Sequence, residues 1–196
     1  MSRFFGKAVH AGFVVPDVDR EIQRLVASGV GPIFVMRRIR VPARHRGVRH
    51  DVLISAAFVY SGRMQYEFVE QHDDTPSAYR EHLARTPAGG LHHLAYFADG
   101  SFEGVFERAA AQGVRFTTVQ EFITPDGTPY ELYAEPEDSA YPLLVQLMIP
   151  GPMEPWFAEM EKAAASWDGS DPVRDALAML PPEMRPPVEP AEEEAQ

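Results

Sequence analysis

Histidine, glutamate and glutamine recur at matching places in the two halves of this 196-residue chain. His10 lies in the segment "AVHAGFVV", and His93 follows 83 positions later in "GGLHHLAYFADG"; Glu67 in "MQYEFVEQ" and Gln146 in "YPLLVQLM" are 79 positions apart. Imidazole nitrogens combined with carboxylate and amide oxygens suit one divalent ion such as zinc, nickel, cobalt, iron or manganese. The recurrence therefore predicts a metal site with His10, Glu67, His93 and Gln146 as its ligands.

Two adjacent histidines, His92 and His93, open the second half of this repeat. Neighbouring side chains of a regular strand point to opposite faces, so only one of the two is expected to face the core. Apolar residues alternate with both histidines along "LHHLAYFA", and alternation alone does not decide between them. The residues alone therefore leave the choice open, although His93 is the one that matches His10 in the repeat.

Alternation separates two acids in "MQYEFVEQ". Glu67 shares a face with Gln65 and Val69, whereas Glu70 points the other way. This predicts Glu67 as a ligand and Glu70 as a surface charge. If the reaction moves a proton, Glu67 is the one acid of the four residues that could act as the catalytic base, because the amide of Gln146 cannot take up a proton near neutral pH.

The segments that position these residues follow one order twice, namely a strand, a helix and three strands. Module one covers about residues 8–73 and module two about residues 90–149. A helix over residues 75–87, with Thr75 as its N-cap, is predicted to link them. Residues 1–150 then form one domain of the α+β class.

The chain changes character after residue 150. A short helical extension is predicted over residues 151–180, with Trp156, Phe157 and Met160 on one side of a first helix and "DPVRDALAML" as a second. The first helix has three possible positions: across a dimer interface, over the cavity mouth, or on its own domain. Residues 181–196 are rich in proline and glutamate and are predicted to be a disordered acidic tail.

Composition excludes several classes of protein. The net charge is −11, and the residues from Gly151 onward hold eleven acidic against three basic side chains, which leaves only −3 on the first 150 residues. Such a balance argues against nucleic-acid binding, which needs a basic face. The absence of cysteine excludes disulfides and zinc–thiolate sites. No apolar run or leader pattern suggests a membrane, and the predicted location is the cytoplasm.

Arginines are concentrated in "MRRIRVPARHRGVRHD", where six of the 18 basic residues fall within thirteen positions. One interpretation is a solvated loop that balances the acidic remainder of the chain. The other is an electropositive rim that attracts an anionic substrate such as a carboxylate or an acyl-CoA. In the second interpretation Arg38, Arg40 and Tyr60 are candidate substrate-binding residues.

The segments "HAGFVVPDVD" and "GGLHHLAYFADG", with the two-module order, resemble the vicinal oxygen chelate superfamily of glyoxalase I, methylmalonyl-CoA epimerase, extradiol dioxygenases and bleomycin-resistance proteins. The epimerase-like glyoxalase branch is most similar, since a Gly-[Leu/Met]-His-His stretch opens its second module and the second histidine is the ligand. The resemblance covers about residues 8–149. It implies two tandem βαβββ modules that form an open mixed β-barrel around a metal held by His10, Glu67, His93 and Gln146.

The resemblance also implies an activity. It suggests a metal-dependent isomerase, epimerase or lyase that acts on a small, oxygen-chelating, anionic substrate through an enediolate-type intermediate, and that forms a homodimer. The last ligand position is usually glutamate in the epimerase and in glyoxalase I, whereas this chain has Gln146. "LISAAFVY" also lacks the further base of the epimerase. Two alternatives are a non-catalytic, ligand-sequestering protein of the bleomycin-resistance kind and a ring-cleaving dioxygenase.

Overall fold

Nine strands and four helices are present in the computed structural model, which describes residues 2, 4–138, 143–151 and 153–190. The first half contains β1 (His10–Val14), α1 (Val18–Ala27), β2 (Ile33–His45), β3 (Val48–Ser61) and β4 (Met64–Gln71). Helix α2 (Ala78–Arg85) leads to β5 (Gly90–Phe97), α3 (Phe102–Ala110), β6 (Phe116–Ile123), β7 (Pro129–Pro136) and β8 (Leu144–Met148). The chain continues through α4 (Met153–Ala165), β9 (Val173–Asp175) and 3-10 turns at Leu177–Met179 and Pro182–Met184.

Eight of these strands curl into a ring. Their order is β3-β4-β1-β5-β8-β7-β6-β2, and pairing of β2 with β3 completes the ring. Each half contributes one parallel pair, β1 with β4 and β5 with β8, and antiparallel pairing of β1 with β5 joins the halves. The α+β class and the repeated order of one strand, one helix and three strands are confirmed.

The helices begin where polar side chains can accept hydrogen bonds from their first backbone amides. Asp17 accepts from the backbone N–H of Arg20 at 2.8 Å and caps α1, whose buried Val18 and Ile22 pack on the outer side of β2 and β3. Helix α2 begins later than predicted, because Ser77 rather than Thr75 caps it by accepting from the backbone N–H of Arg80 at 3.0 Å.

Helix α4 packs against its own chain, across the inside of the ring. Trp156, Phe157 and Met160 are buried among core side chains of β1, β3 and β5, and Met160 is 0% exposed. The indole N–H of Trp156 donates to the backbone carbonyl of Ala176 at 3.1 Å, which satisfies its buried donor. The three apolar residues predicted to lie on one side of this helix therefore form part of the core.

The segment "DPVRDALAML" is not the second helix predicted for it. Residues Val173–Asp175 form β9, which pairs in parallel with β2, and the backbone N–H of Ile33 donates to the carbonyl of Pro172 at 2.8 Å. Only Leu177–Met179 turns, as a single 3-10 turn. Hydrogen bonds offered by the free edge of β2 replace those of a helix, a tertiary effect that the local sequence does not reveal.

The arginine-rich segment is a β-hairpin rather than a loop. Strands β2 and β3 continue to a two-residue turn at Arg46 and Gly47, both with positive φ, the geometry that fits the twist of a hairpin. Ion pairs compensate much of the positive charge: Arg37 with Asp19 at 2.6 Å, Arg44 with Glu121 at 3.0 Å and Arg46 with Glu81 at 2.7 Å.

Residues 181–190, which composition predicts to be disordered, lie along β2. Val188 forms a bridge with Ile39, and the carboxylate of Glu189 pairs with the guanidinium of Arg40. The remainder of the predicted tail, residues 191–196, lies outside the described residues. Within the described ranges none of the helices combines the length and the apolar character needed to cross a bilayer.

Candidate metal centre

Four neighbouring strands bring the predicted ligands together. Strand β1 lies between β4 and β5, and its Gly12 pairs with both Glu67 on β4 and His93 on β5. His10 lies two residues before Gly12 on the same face, opposite Ala95, and Ala95 pairs in turn with Gln146 on β8. The repeat in the sequence thus becomes a cluster, because the two halves meet at β1 and β5.

The donor atoms of three residues converge. The Nε2 atoms of His10 and His93 are 3.1 Å apart, and Oε2 of Glu67 lies 3.3 Å from Nε2 of His93 and 3.6 Å from Nε2 of His10. Two donors, each about 2.1 Å from one zinc ion at tetrahedral angles, lie about 3.4 Å apart. The three residues are buried and form a group that could hold a metal ion.

Gly12 makes room for the His93 imidazole. A Cβ atom at this position would lie 1.9 Å from Cε1 of His93 and 2.1 Å from its Nε2. Any side chain at position 12 would therefore occupy the space of the ring. This role is not visible in the sequence, because the cross-strand register that places Gly12 against His93 is a tertiary feature.

A β-bulge explains the adjacent histidines. The register of β1 with β5 passes from the pair Gly12–His93 to the pair Phe13–Leu91 and skips His92. Bulges break the alternation of a strand and redirect side chains. Both imidazoles are fully buried and pack against the ring of Tyr133, so the expectation that only one of them faces the interior is wrong. Nδ1 of His92 lies 2.9 Å from Nδ1 of His93 and holds its ring from behind.

Gln146 is placed to offer an oxygen to the cluster. Its Nε2 donates to Oε1 of Glu131 at 2.6 Å, whereas its buried Oε1 makes no hydrogen bond within the described part of the chain. Gln146 also lies within hydrogen-bonding range of the imidazoles of His10 and His93, where it favours their protonated forms. Gln146 therefore lies beside both histidines with an oxygen that is free to bind a metal ion.

Burial sets the protonation of the cluster. It lowers the pKa of His10 to about 4 and that of His93 to about 3, so both rings are neutral at pH 7 and keep lone pairs for a metal. Burial also raises the pKa of Glu67, although nearby His10 opposes the shift. Among the described residues, Oε2 of Glu67 and Oε1 of Gln146 are buried without hydrogen bonds. A cation would satisfy both oxygens, so the donor set fits a divalent metal.

Sequence reasoning missed the carboxyl of Glu131, which lies behind Gln146 on β7. Burial, followed by the repulsion of Glu67, raises its pKa to about 8. The signal was alternation: Glu131 shares a strand face with Tyr133, and Tyr133 pairs with Gln146 across the β7–β8 register. The Tyr133 hydroxyl is 2.9 Å from that of Tyr79, which extends the buried polar network to α2.

The three predicted substrate contacts lie in two places. Tyr60 borders the cluster: its hydroxyl donates to the carbonyl of Phe157 at 2.9 Å and accepts from Nε2 of Gln65 at 2.6 Å. Arg38 donates to the carbonyl of Pro190 at 3.0 Å, and Arg40 pairs with Asp73 at 3.3 Å and with Glu189. The contacts described for these arginines hold the C-terminal segment and do not reach the cluster.

A cavity of about 320 Å³ lies beside the cluster, under α4. Tyr60, Gln65, Phe97 and Phe157 line it, together with the cationic Lys7 and Arg63 and the acidic Glu154 and Glu161. The Phe157 ring of α4 is 6.0 Å from the His10 ring, centroid to centroid, so α4 packs directly against the cluster. A larger groove of about 560 Å³ lies near α3, and neither lining contains any of the four cluster residues.

Comparison with known proteins gives a family and a fold. A sequence profile of the Glyoxalase/Bleomycin resistance protein/Dioxygenase superfamily matches residues 9–130. No curated relative matches the sequence significantly. The methylmalonyl-CoA epimerase from Mycobacterium tuberculosis is similar in structure, with a TM-score of 0.50, 18% identity, and coverage of 79% of this chain and 95% of that one.

A variant of the Streptomyces coelicolor methylmalonyl-CoA epimerase, in complex with 2-nitronate-propionyl-CoA, has a TM-score of 0.48 and 17% identity, with coverage of 75% of this chain and 96% of that one. At such identities the structures support the fold alone. The family match spans most of both modules, and the chain is therefore a member of the Glyoxalase/Bleomycin resistance protein/Dioxygenase superfamily.

Proposed function

We propose that this protein is a divalent-metal-dependent enzyme of the isomerase, epimerase or lyase type that moves a proton at a carbon next to a carbonyl group. The supporting observation is the buried cluster of His10, Glu67 and His93, whose donor atoms are 3.1 to 3.6 Å apart. A divalent cation bound by these residues and by Oε1 of Gln146 would supply Lewis-acid polarisation of a substrate with two adjacent oxygens.

The charge and protonation of each side chain determine its proposed role. The imidazoles of His10 and His93 are neutral at pH 7 and serve as nitrogen donors. Glu67 is the base, because it is the one carboxyl of the four residues and its burial raises its pKa toward the range useful for proton transfer. Gln146 offers a neutral oxygen and takes no proton.

The substrate would enter through the cavity under α4. Its volume of about 320 Å³ suits the reacting part of a small molecule, and Lys7 at its lining suits an anionic group, whereas Arg63 pairs with Glu161 at 3.5 Å. The Tyr60 hydroxyl lies at the same wall and would donate to a substrate oxygen in exchange for its hydrogen bond to the Phe157 carbonyl. Arg38 and Arg40 are not assigned to substrate binding, because both side chains bind the C-terminal segment.

Deuterium exchange tests this function. We would incubate metal-loaded protein in D2O with a panel of compounds that carry a carbonyl beside a second oxygen or a thioester, methylmalonyl-CoA among them, and measure uptake by mass spectrometry. We expect exchange with at least one compound, and a fall of about two to four orders of magnitude in Glu67→Gln. Metal-loaded protein that exchanges none of them supports the ligand-sequestering alternative instead.

One observation favours an oxygenase as a second candidate. His10, His93 and Glu67 are a two-histidine, one-carboxylate set, the ligand type of non-haem iron oxygenases. Oxygen consumption by Fe(II)-loaded protein with a catechol distinguishes the two functions. Consumption that depends on His10 and His93 supports ring cleavage, and its absence together with deuterium exchange supports proton transfer.

A further inference from the structure

Glu131 controls which end of the Gln146 amide faces the cluster. An amide has its oxygen and its nitrogen on opposite sides, and Nε2 of Gln146 donates to Oε1 of Glu131 at 2.6 Å. The oxygen must then point away from Glu131. It is buried without a hydrogen bond among the described residues, on a side chain that lies beside the imidazoles of His10 and His93. Without the carboxyl of Glu131, the NH2 group could turn toward the histidines.

We propose that Glu131 is a positioning residue of the metal site, because its hydrogen bond with Nε2 of Gln146 directs Oε1 of Gln146 toward the ion. This inference rests on the proposed function, because it requires a divalent metal at the cluster. Glu131 lies outside the group of donor atoms that converge, so it acts through Gln146 rather than as a ligand. A carboxylate that orients a ligand in this way is a common outer-shell partner of metal sites.

The test compares matched variants by zinc binding and by the absorption spectrum of bound cobalt. Glu131→Gln replaces an acceptor oxygen by an amide and allows the Gln146 amide to rotate, whereas Glu135→Gln makes the same change on the same strand at an exposed side chain paired with Arg46 at 3.6 Å. We expect zinc affinity, measured by competition with a chromophoric chelator, to fall about 10- to 100-fold in Glu131→Gln. The cobalt spectrum should also change there, and both readouts should be unchanged in Glu135→Gln.

A double variant, Glu131→Gln with Gln146→Glu, restores the number of carboxylates and reverses the hydrogen bond. We expect it to recover zinc affinity to within about tenfold of the original protein. It also decides the matter if the single variant does not fold. Unchanged affinity and spectrum in Glu131→Gln, or no recovery in the double variant, overturns the inference and leaves the proposed function intact. An original protein that binds no metal overturns both.

Discussion

At the scale of single residues, the cluster depends on Gly12, whose lack of a side chain leaves room for the His93 ring. The Cβ atom of an alanine at position 12 would overlap the His93 ring, with 1.9 Å to Cε1. We expect Gly12→Ala to displace that ring and to lower zinc affinity by at least about tenfold, in the range seen when ligand positioning is lost. Isothermal titration of metal-free protein with zinc measures the effect.

Gly104→Ala is the control for this change. Gly104 lies in α3, where the nearest atom to a new Cβ is the Oγ of Ser101 at 3.4 Å. Alanine there should leave zinc affinity unchanged and raise the free energy of unfolding by about 0.5 to 1 kcal/mol. Equal affinities in both variants would show that His93 can move aside without loss of the site.

Glu131 gives the metal-free protein a pH-dependent stability. Its pKa of about 8 in the fold is above its ordinary value of 4.5, so its stabilising contribution is present below pH 4.5 and is lost as the pH rises toward 8. The histidines act in the opposite direction, because their pKa values near 4 and 3 make their contribution complete above pH 6.5. Among the titratable groups at the cluster, therefore, ionisation of Glu131 and Glu67, whose pKa values are raised, is what weakens the fold between pH 6.5 and 8.

We expect the Tm of metal-free protein to fall from pH 6.5 to pH 8, and to fall less in Glu131→Gln. Thermal unfolding followed by circular dichroism, in buffers treated with chelator, measures both slopes. Equal slopes in the two proteins would contradict the assignment of this effect to Glu131.

Sequence reasoning about residues succeeded where the two halves repeat, and missed what depends on cross-strand register. The types and spacing of His10, Glu67 and His93 indicated a cluster, and these three residues converge in the structure. The bulge at His92 and the packing of Gly12 against His93 depend on how β1 pairs with β5, which one strand's sequence does not encode. The contact of Glu131 with Gln146 depends in the same way on how β7 pairs with β8.

At the scale of elements, α4 forms one wall of the site. Phe157 packs over the His10 ring at 6.0 Å, whereas its neighbour Trp156 packs on Phe58 at 5.6 Å. Both are buried aromatic residues of one helix, so replacement by alanine should lower the free energy of unfolding by about 3 to 5 kcal/mol in either case. Only Phe157→Ala removes the wall between the cluster and solvent.

We therefore expect Phe157→Ala to release zinc to a chelator faster than Trp156→Ala, although the two variants lose similar stability. Stopped-flow measurement of zinc release and urea unfolding give the two quantities. Similar release rates at similar stability would show that α4 supports the fold without shielding the cluster.

Elements were predictable where local signals suffice. Asp17 and Ser101 cap their helices in the structure by accepting hydrogen bonds three residues ahead, as their sequence positions suggest. The segment "DPVRDALAML" is predicted to be helical, yet its residues Val173–Asp175 pair with the free edge of β2. Strand β2 extends through the arginine-rich segment, where Arg37, Arg40 and Arg44 form ion pairs with Asp19, Glu189 and Glu121.

At the scale of the whole molecule, the C-terminal extension has an inner and an outer part. Residues 153–165 fill the ring with Trp156, Phe157 and Met160, whereas residues 181–190 lie outside on β2. The outer part is held by the Val188–Ile39 bridge, by the backbone N–H of Glu189, which donates to the carbonyl of Arg38 at 2.9 Å, and by an exposed ion pair between Arg40 and Glu189. Exposed ion pairs contribute little to stability.

We expect deletion of residues 181–196 to lower the free energy of unfolding only slightly, because the contacts that it removes are exposed. Deletion of residues 151–196 should expose the core and prevent folding, which urea unfolding and circular dichroism would show. Light scattering on the full chain and on the shorter deletion tests the expected homodimer, whose mass should be the same in both. A stable, folded product of the longer deletion would contradict the place given to α4 in the core.

The central claim is that His10, Glu67, His93 and Gln146 bind one divalent ion, and metal content measures it most directly. Original protein, His93→Ala and His92→Ala would be loaded with zinc, desalted and analysed by mass spectrometry. We expect one zinc ion per chain in the original protein, almost none in His93→Ala because a ligand is lost, and retention in His92→Ala, since His92 only supports the His93 ring. Full occupancy in His93→Ala, or no zinc in the original protein, would contradict the account.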